Sequence, residues 1–148
     1  MQIKKYLIWL SPSIWFGLTI FLTIQNGESS GKLSLYLAEK ICSTLNIQDI
    51  YITEVILRDC AHFGIHLVLA LLTMIATYYD NLDPFYDAII SLLLCIIIGI
   101  TDELAQIVIP GRSFELVDIL RNTVGILTGA VIFHLFYSVK CCSKAAHH

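Results

Sequence analysis

The sequence predicts an all-α membrane protein of four transmembrane helices, with a short amphipathic helix between the first and the second. Three observations predict it. Only 14% of the 148 residues are charged and 57% are hydrophobic, where a soluble domain carries roughly 25% charged residues. Four apolar runs reach the length that crosses a ~30 Å hydrocarbon layer. The ionisable residues collect near the ends of those runs, where a bilayer tolerates them best. The length fits one domain spanning residues 1–148. Mean hydropathy is +0.76. The net charge of −3 comes from so few groups that their placement matters more than their sum. No basic stripe and no aromatic-basic interleaving is present, so nucleic acid is not an expected partner.

The first span is predicted over 6–25. Its body, Tyr6 to Ile24, holds no charge, and Lys4 and Lys5 precede it. Pro12 removes a backbone donor, and Ser11 and Ser13 can bond the freed carbonyls. A signal peptide fits less well, because the apolar stretch is long and only Gln25-Asn26-Gly27-Glu28 follows, with no small-residue cleavage site. Gln25 to Lys32 reads as a polar turn, with Asn26-Gly27 and Ser30-Gly31 as breakers. The amphipathic helix is predicted over 33–47. Leu33, Leu37, Ile41 and Leu45 recur every four residues, while Glu39, Lys40, Ser43 and Asn46 lie elsewhere. A helical loop element without lipid contact is the alternative for this stretch. Asp49 to Glu54 reads as a further polar connection.

The second span is predicted over 58–79, with Arg58, His62 and His66 on one helical stripe. Asp80 to Asp87 is a turn. The third span, 85–109, carries Asp102, Glu103 and Gln106 at its end; Pro110-Gly111-Arg112-Ser113 is the next turn. The fourth span, 117–139, begins with Asp118, Arg121 and Asn122 and continues into a Gly125–Gly129 pair, which lets a neighbouring helix approach closely. Lys4 and Lys5 before the first span, and Lys140 and Lys144 after the last, put both termini in the cytoplasm. The Arg58 end of the second span, the Glu103 end of the third, the Arg112 turn and the Asp118 end of the fourth then share the outer face. An outward-facing polar pocket is the expectation. Arg58, His62, Glu103, Gln106, Arg112, Asp118 and Asn122 are its candidate ligand-binding residues, and Arg112 is the group best suited to an anion, because its planar fork grips carboxylate or phosphate twice.

At these residues the chain resembles the VanZ-like family of bacterial membrane proteins. The resemblance rests on QNGESSGKLS after the first span, on Arg58, His62 and Phe63, and on DELAQIVIPGRSFELVDILRNTVGILTG. In the last block the family pattern falls on Glu103, Gln106, Pro110, Gly111, Arg112, Asp118, Asn122, Gly125 and Gly129. Asp59 stands where similar members often have Lys, and Ile65-His66 where they tend to have Glu-Tyr. The resemblance implies a bacterial cell-membrane protein. The family is named for a protein associated with resistance to the glycopeptide teicoplanin.

Two functions of different class fit these residues. One is a binding protein whose pocket holds an anionic envelope lipid, a lipid-linked wall precursor or the glycopeptide, with Arg112 and Arg58 as anion contacts. The other is a membrane-embedded enzyme in which His62 is acid or base, Glu103 its partner and Arg112 the stabiliser of negative charge; histidine suits proton transfer near neutrality. The same polar groups can also serve only to bond helices together, at roughly 0.6 kcal/mol each. No cofactor is expected. His62, Glu103 and Asp118 could supply metal ligands, but there is no HExxH and no paired-Cys spacing, so no metal is expected either. Cys42 and Cys60 both fall on the outer side and are the one pair a disulfide could join; Cys95 is mid-span and Cys141-Cys142 lies at the cytoplasmic border. His147-His148 reads as a purification-tag stub.

Overall fold

Helix α1 (Gln2–Thr23) begins a succession of five helices in the computed structural model, which describes residues 2–79 and 84–145. Then follow α2 (Gly27–Leu45), α3 (Ile50–Tyr78), α4 (Pro84–Gln106) and α5 (Leu116–Ala145). Four are long and apolar enough to cross a membrane, through Tyr6–Thr23, Ile50–Tyr78, Phe85–Gln106 and Leu116–Tyr137. The protein is therefore an all-α, multi-pass membrane protein with α2 between its first two spans. Its surface follows membrane logic. Leu7, Ile14, Leu93, Ile97, Val131 and Leu135 are exposed, while Thr77, Ser91, Glu103 and Asn122 are buried. With lipid as the surrounding solvent, apolar groups stay outside, and polar groups turn inward to find partners.

Local chemistry sets the helix ends. Pro12 sits inside a continuous α1, and Ser11 Oγ donates to the Ile8 carbonyl at 2.9 Å, the acceptor that proline leaves without its helical donor. The predicted Gln25–Lys32 turn is much shorter in the structure, because α2 starts at Gly27. Asn26 caps it, its side chain accepting from Ser29 N at 2.8 Å, and Glu28 pairs with Lys32 at 2.6 Å along the first turns. A cap of that strength outweighs the two glycines. The second span likewise starts at Ile50, well before Arg58. Asp49 caps it by accepting from Ile52 N at 3.0 Å, and Glu54 accepts from Ser34 of α2 at 2.6 Å, so this stretch is helix and not a polar connection. At 29 residues and about 1.5 Å per residue, α3 is about 43 Å long and outreaches the hydrocarbon layer. The third span stops at Gln106. Ile107, Val108 and Ile109 each turn back three residues, since Pro110 disfavours helix at the residue before it. Residues 80–83 of the predicted Asp80–Asp87 turn, and His147-His148, lie outside the described residues.

α3 is the central helix, touching the other four and packing most extensively on α5. Glycine makes that contact close. A Cβ at Gly125 would lie 2.3 Å from the Phe63 carbonyl oxygen, and one at Gly129 would lie 2.7 Å from that of Leu67. The Gly125–Gly129 stripe is thus the seam of α5 on α3. Leu69, Ala70, Cys95 and Ile126 form the apolar centre, flanked by the Thr77–Ser91 hydroxyl pair at 2.8 Å. Trp15 of α1 donates its indole N–H to the Ile65 carbonyl at 2.9 Å, which fixes α1 against α3. At the far end Tyr78 meets Phe133 and Tyr137 edge-on, with ring centres 6.3 and 5.1 Å apart.

Candidate functional site

His62, midway along α3, is the hub of a polar cluster drawn from three helices. Its Nδ1 lies 3.2 Å from Asn122 Oδ1 on α5 and 3.8 Å from Glu103 Oε1 on α4. Its Nε2 lies 3.6 Å from Asp118 Oδ2, one turn before Asn122. Glu103 is fully buried; its Oε1 accepts from Gln106 Nε2 at 2.8 Å, and its Oε2 has no hydrogen-bond partner among the described residues. Asp118 is also buried and is held by Arg121, which reaches on to Asp59 at 3.0 Å. Ridge and seam explain the convergence. Glycines 125 and 129 bring α5 onto α3 at the level where Phe63 and Leu67 pack, and Asn122 and Asp118 lie one and two turns back along the same stripe.

A cavity of about 200 Å³ opens beside His62, between α1, α2, α3, the end of α4 and Arg112 of the following turn. Leu22, Leu33, Leu37, Leu57 and Ile65 make its apolar walls; its charged and titratable part is Arg58, Arg112, His62, His66 and Asp102, with hydroxyls and amides between them. Arg58, His62 and His66 face it together, as their four-residue spacing requires. Arg112 donates through Nη2 to the Leu22 carbonyl at 3.3 Å, and neither it nor Arg58 forms an ion pair among the described residues. Burial pulls the Arg112 guanidinium down from its ordinary value and the like charge of Arg58 adds to this, while Asp102, Glu103 and Asp118 oppose it. The turn itself is clamped. Gly27 N donates to the Pro110 carbonyl at 3.0 Å, Gly111 adopts a left-handed φ of +76°, and a Cβ at Gly27 would lie 1.8 Å from the Gly111 oxygen.

A family model described as VanZ/LLP1 matches residues 8–137. The chain belongs to this family. The VanZ/LLP1 match takes in every residue of the His62 cluster, the cavity and the arginine turn. Neither the curated proteins nor the solved structures contain a match to the chain.

All seven candidate residues fall in this one region of the VanZ/LLP1 domain. His62, Glu103, Gln106, Asp118 and Asn122 form the cluster; Arg58 and Arg112 face the cavity, together with His62 and Gln106. The acids meet other partners than Arg58. Asp118 pairs with Arg121 and its carboxylate neighbours His62, while Glu103 is held by Gln106. Asp59, one of the departures from the resemblance pattern, is the second partner of Arg121. His66 is buried, takes up the His62 carbonyl at 3.1 Å, and still reaches the cavity wall. Sequence reasoning missed Asp102, Thr19, Thr23, Ser30 and Ser34 as cavity groups, and Asp102 accepts from the Thr23 hydroxyl. The signal was there in part: Thr19 and Thr23, like Ser30 and Ser34, are hydroxyls one turn apart on one face. Cys42 and Cys60 are free, and Cys42 lies 3.3 Å from Thr53 Oγ1 instead.

Proposed function

We propose that this membrane protein of the cell envelope binds an anionic amphiphile from the outer side, with Arg58 and Arg112 on its phosphate or carboxylate and the leucine walls on the first part of its tail. An anionic envelope lipid and a lipid-linked wall precursor share that chemistry. The observation that carries this reading is two arginines, with no ion pair among the described residues, on one cavity that also has a wall of Leu22, Leu33, Leu37, Leu57 and Ile65. A desolvated guanidinium gains most from an anion that takes two parallel bonds. The volume argues for a headgroup over a whole glycopeptide: about 200 Å³ is below the ~300 Å³ at which drug-sized ligands begin to fit. A role in teicoplanin resistance would then run through the precursor. The outward orientation rests on Lys4, Lys5, Lys140 and Lys144 flanking the chain's first and last spans. Native mass spectrometry of the purified protein with anionic and zwitterionic phospholipids, and with lipid-linked wall precursors, tests the reading. One bound anionic lipid that is lost in Arg112→Ala supports it. Equal retention of both lipid classes contradicts it.

A second reading is favoured by one observation, the placement of His62 between Glu103 and Asp118 beside the cavity. An imidazole flanked by carboxylates can pass a proton to or from a bound headgroup. Incubation of the pure protein with lipid-linked wall precursors, read as a change in mass, tests this. Turnover that His62→Ala abolishes supports an enzyme, and saturable binding without product supports the binding protein.

A further inference from the structure

We propose that His62, Glu103 and Asp118 form a binding site for a divalent transition-metal ion, held between α3, α4 and α5. This goes beyond the amphiphile reading and does not depend on it. One ligand atom from each of the three residues lies within 4.8 Å of the others. Bonds of about 2.0–2.2 Å to nitrogen and oxygen bring the ligand atoms of one ion somewhat closer than that, so modest side-chain rotation closes the set. His62 Nε2 lies 3.6 Å from Asp118 Oδ2, too long for a hydrogen bond, and the ring's other nitrogen lies 3.8 Å from Glu103 Oε1, so neither carboxylate is closed onto the imidazole.

A second and independent observation points the same way. Glu103 is 0% exposed, yet its Oε2 has no partner among the described residues. A buried carboxylate left half-satisfied is costly. Among the described residues no arginine or lysine pairs with Glu103, and Arg121 is divided between Asp118 and Asp59. A dication facing two carboxylates and a neutral imidazole would cancel the local charge. Each ligand also has an orienting partner of the kind that metal ligands use. Gln106 donates to Glu103 Oε1 and leaves Oε2 free; Arg121 holds Asp118 Oδ1 and leaves Oδ2 free. Asn122 Oδ1 sits 3.2 Å from His62 Nδ1, which turns Nε2 toward Asp118.

The donor set is one imidazole and two carboxylates. It suits zinc, manganese or ferrous iron, and it lacks the thiolates of a closed structural zinc site. Three protein ligands leave positions open, and His62 also lines the cavity.

The test measures metal binding alone, in detergent without added lipid, so that its outcome is separate from that of the amphiphile reading. The full chain carries His147→Ala and His148→Ala, to remove C-terminal ligands, and is stripped with chelator. Zinc, manganese and magnesium are then titrated singly, and bound metal is read by elemental analysis. One zinc or manganese ion per chain is expected. Glu103→Gln keeps the volume and an acceptor for Gln106 and should lose that ion, as should Asp118→Asn; Asn122→Ala should weaken binding about tenfold by freeing the ring. Far-ultraviolet circular dichroism confirms that each variant is helical, and the Glu103→Gln result decides if another variant does not fold. No stoichiometric metal in the parent chain, or undiminished binding in Glu103→Gln, overturns the proposal.

Discussion

At the residue scale, position outranks type. Arg121, Arg58 and Arg112 are all arginines at one end of the bundle, yet Arg121 is neutralised by Asp118 and Asp59 while the other two face the cavity. Arg121 therefore serves structure, and its loss leaves a buried carboxylate uncompensated. Arg121→Ala should lower stability by about 2 kcal/mol, less than for a fully buried pair because Arg121 is partly exposed. Asp59→Ala removes only the outer partner and should cost less than about 1 kcal/mol. Thermal unfolding in detergent, with both variants side by side, checks this; equal losses would contradict the assignment. The sequence made the stripes legible, because Arg58, His62 and His66 are spaced by helical turns whatever the fold. It could not say which acid meets which base. That depends on how α4 and α5 rotate against α3, and the Asp102–Thr23 bond joins residues 79 positions apart.

At the element scale, the seam between α3 and α5 places the cluster. Where a Cβ would sit 2.3 Å from the Phe63 carbonyl, the helices must part, so Gly125→Ala should destabilise by about 3 kcal/mol and weaken any binding that needs Asn122. Gly64 on α3 has nothing within 4 Å of its would-be Cβ, and Gly64→Ala should be neutral or stabilise by up to about 1 kcal/mol through helix propensity. Melting curves of the two proteins decide between them. Similar effects at both positions would mean that the glycines act through backbone freedom and not through close approach. Here too the sequence was partly legible. The GxxxG spacing announced a close helix partner without naming α3. The starts of α2 and α3 were misread because Gly27, Gly31 and Glu54 look like loop residues, whereas Asn26 and Asp49 cap helices that tolerate them.

At the scale of the whole molecule, the bundle is apolar outside and polar within, and its polar content is concentrated around the cavity and the arginine turn. The lysine pattern predicts that this end faces outward. In a chain whose native cysteines are replaced by serine, Ser113→Cys in the arginine turn should react with a membrane-impermeant maleimide on intact cells. Labelling only after lysis would reverse the orientation. The four spans were legible because apolar length is a local property. The cavity was less so, since it needs α2 folded over α3 and the Gly27–Pro110 contact that docks two distant turns. The central claim is that two arginines present one anion site to an amphiphile. The most direct measurement compares native mass spectra of the parent chain and the Arg58→Ala, Arg112→Ala double variant, each offered an equal mixture of anionic and zwitterionic phospholipid. The account predicts one anionic lipid retained by the parent and none by the variant, with both proteins folded; the same lipid retained by both would contradict it.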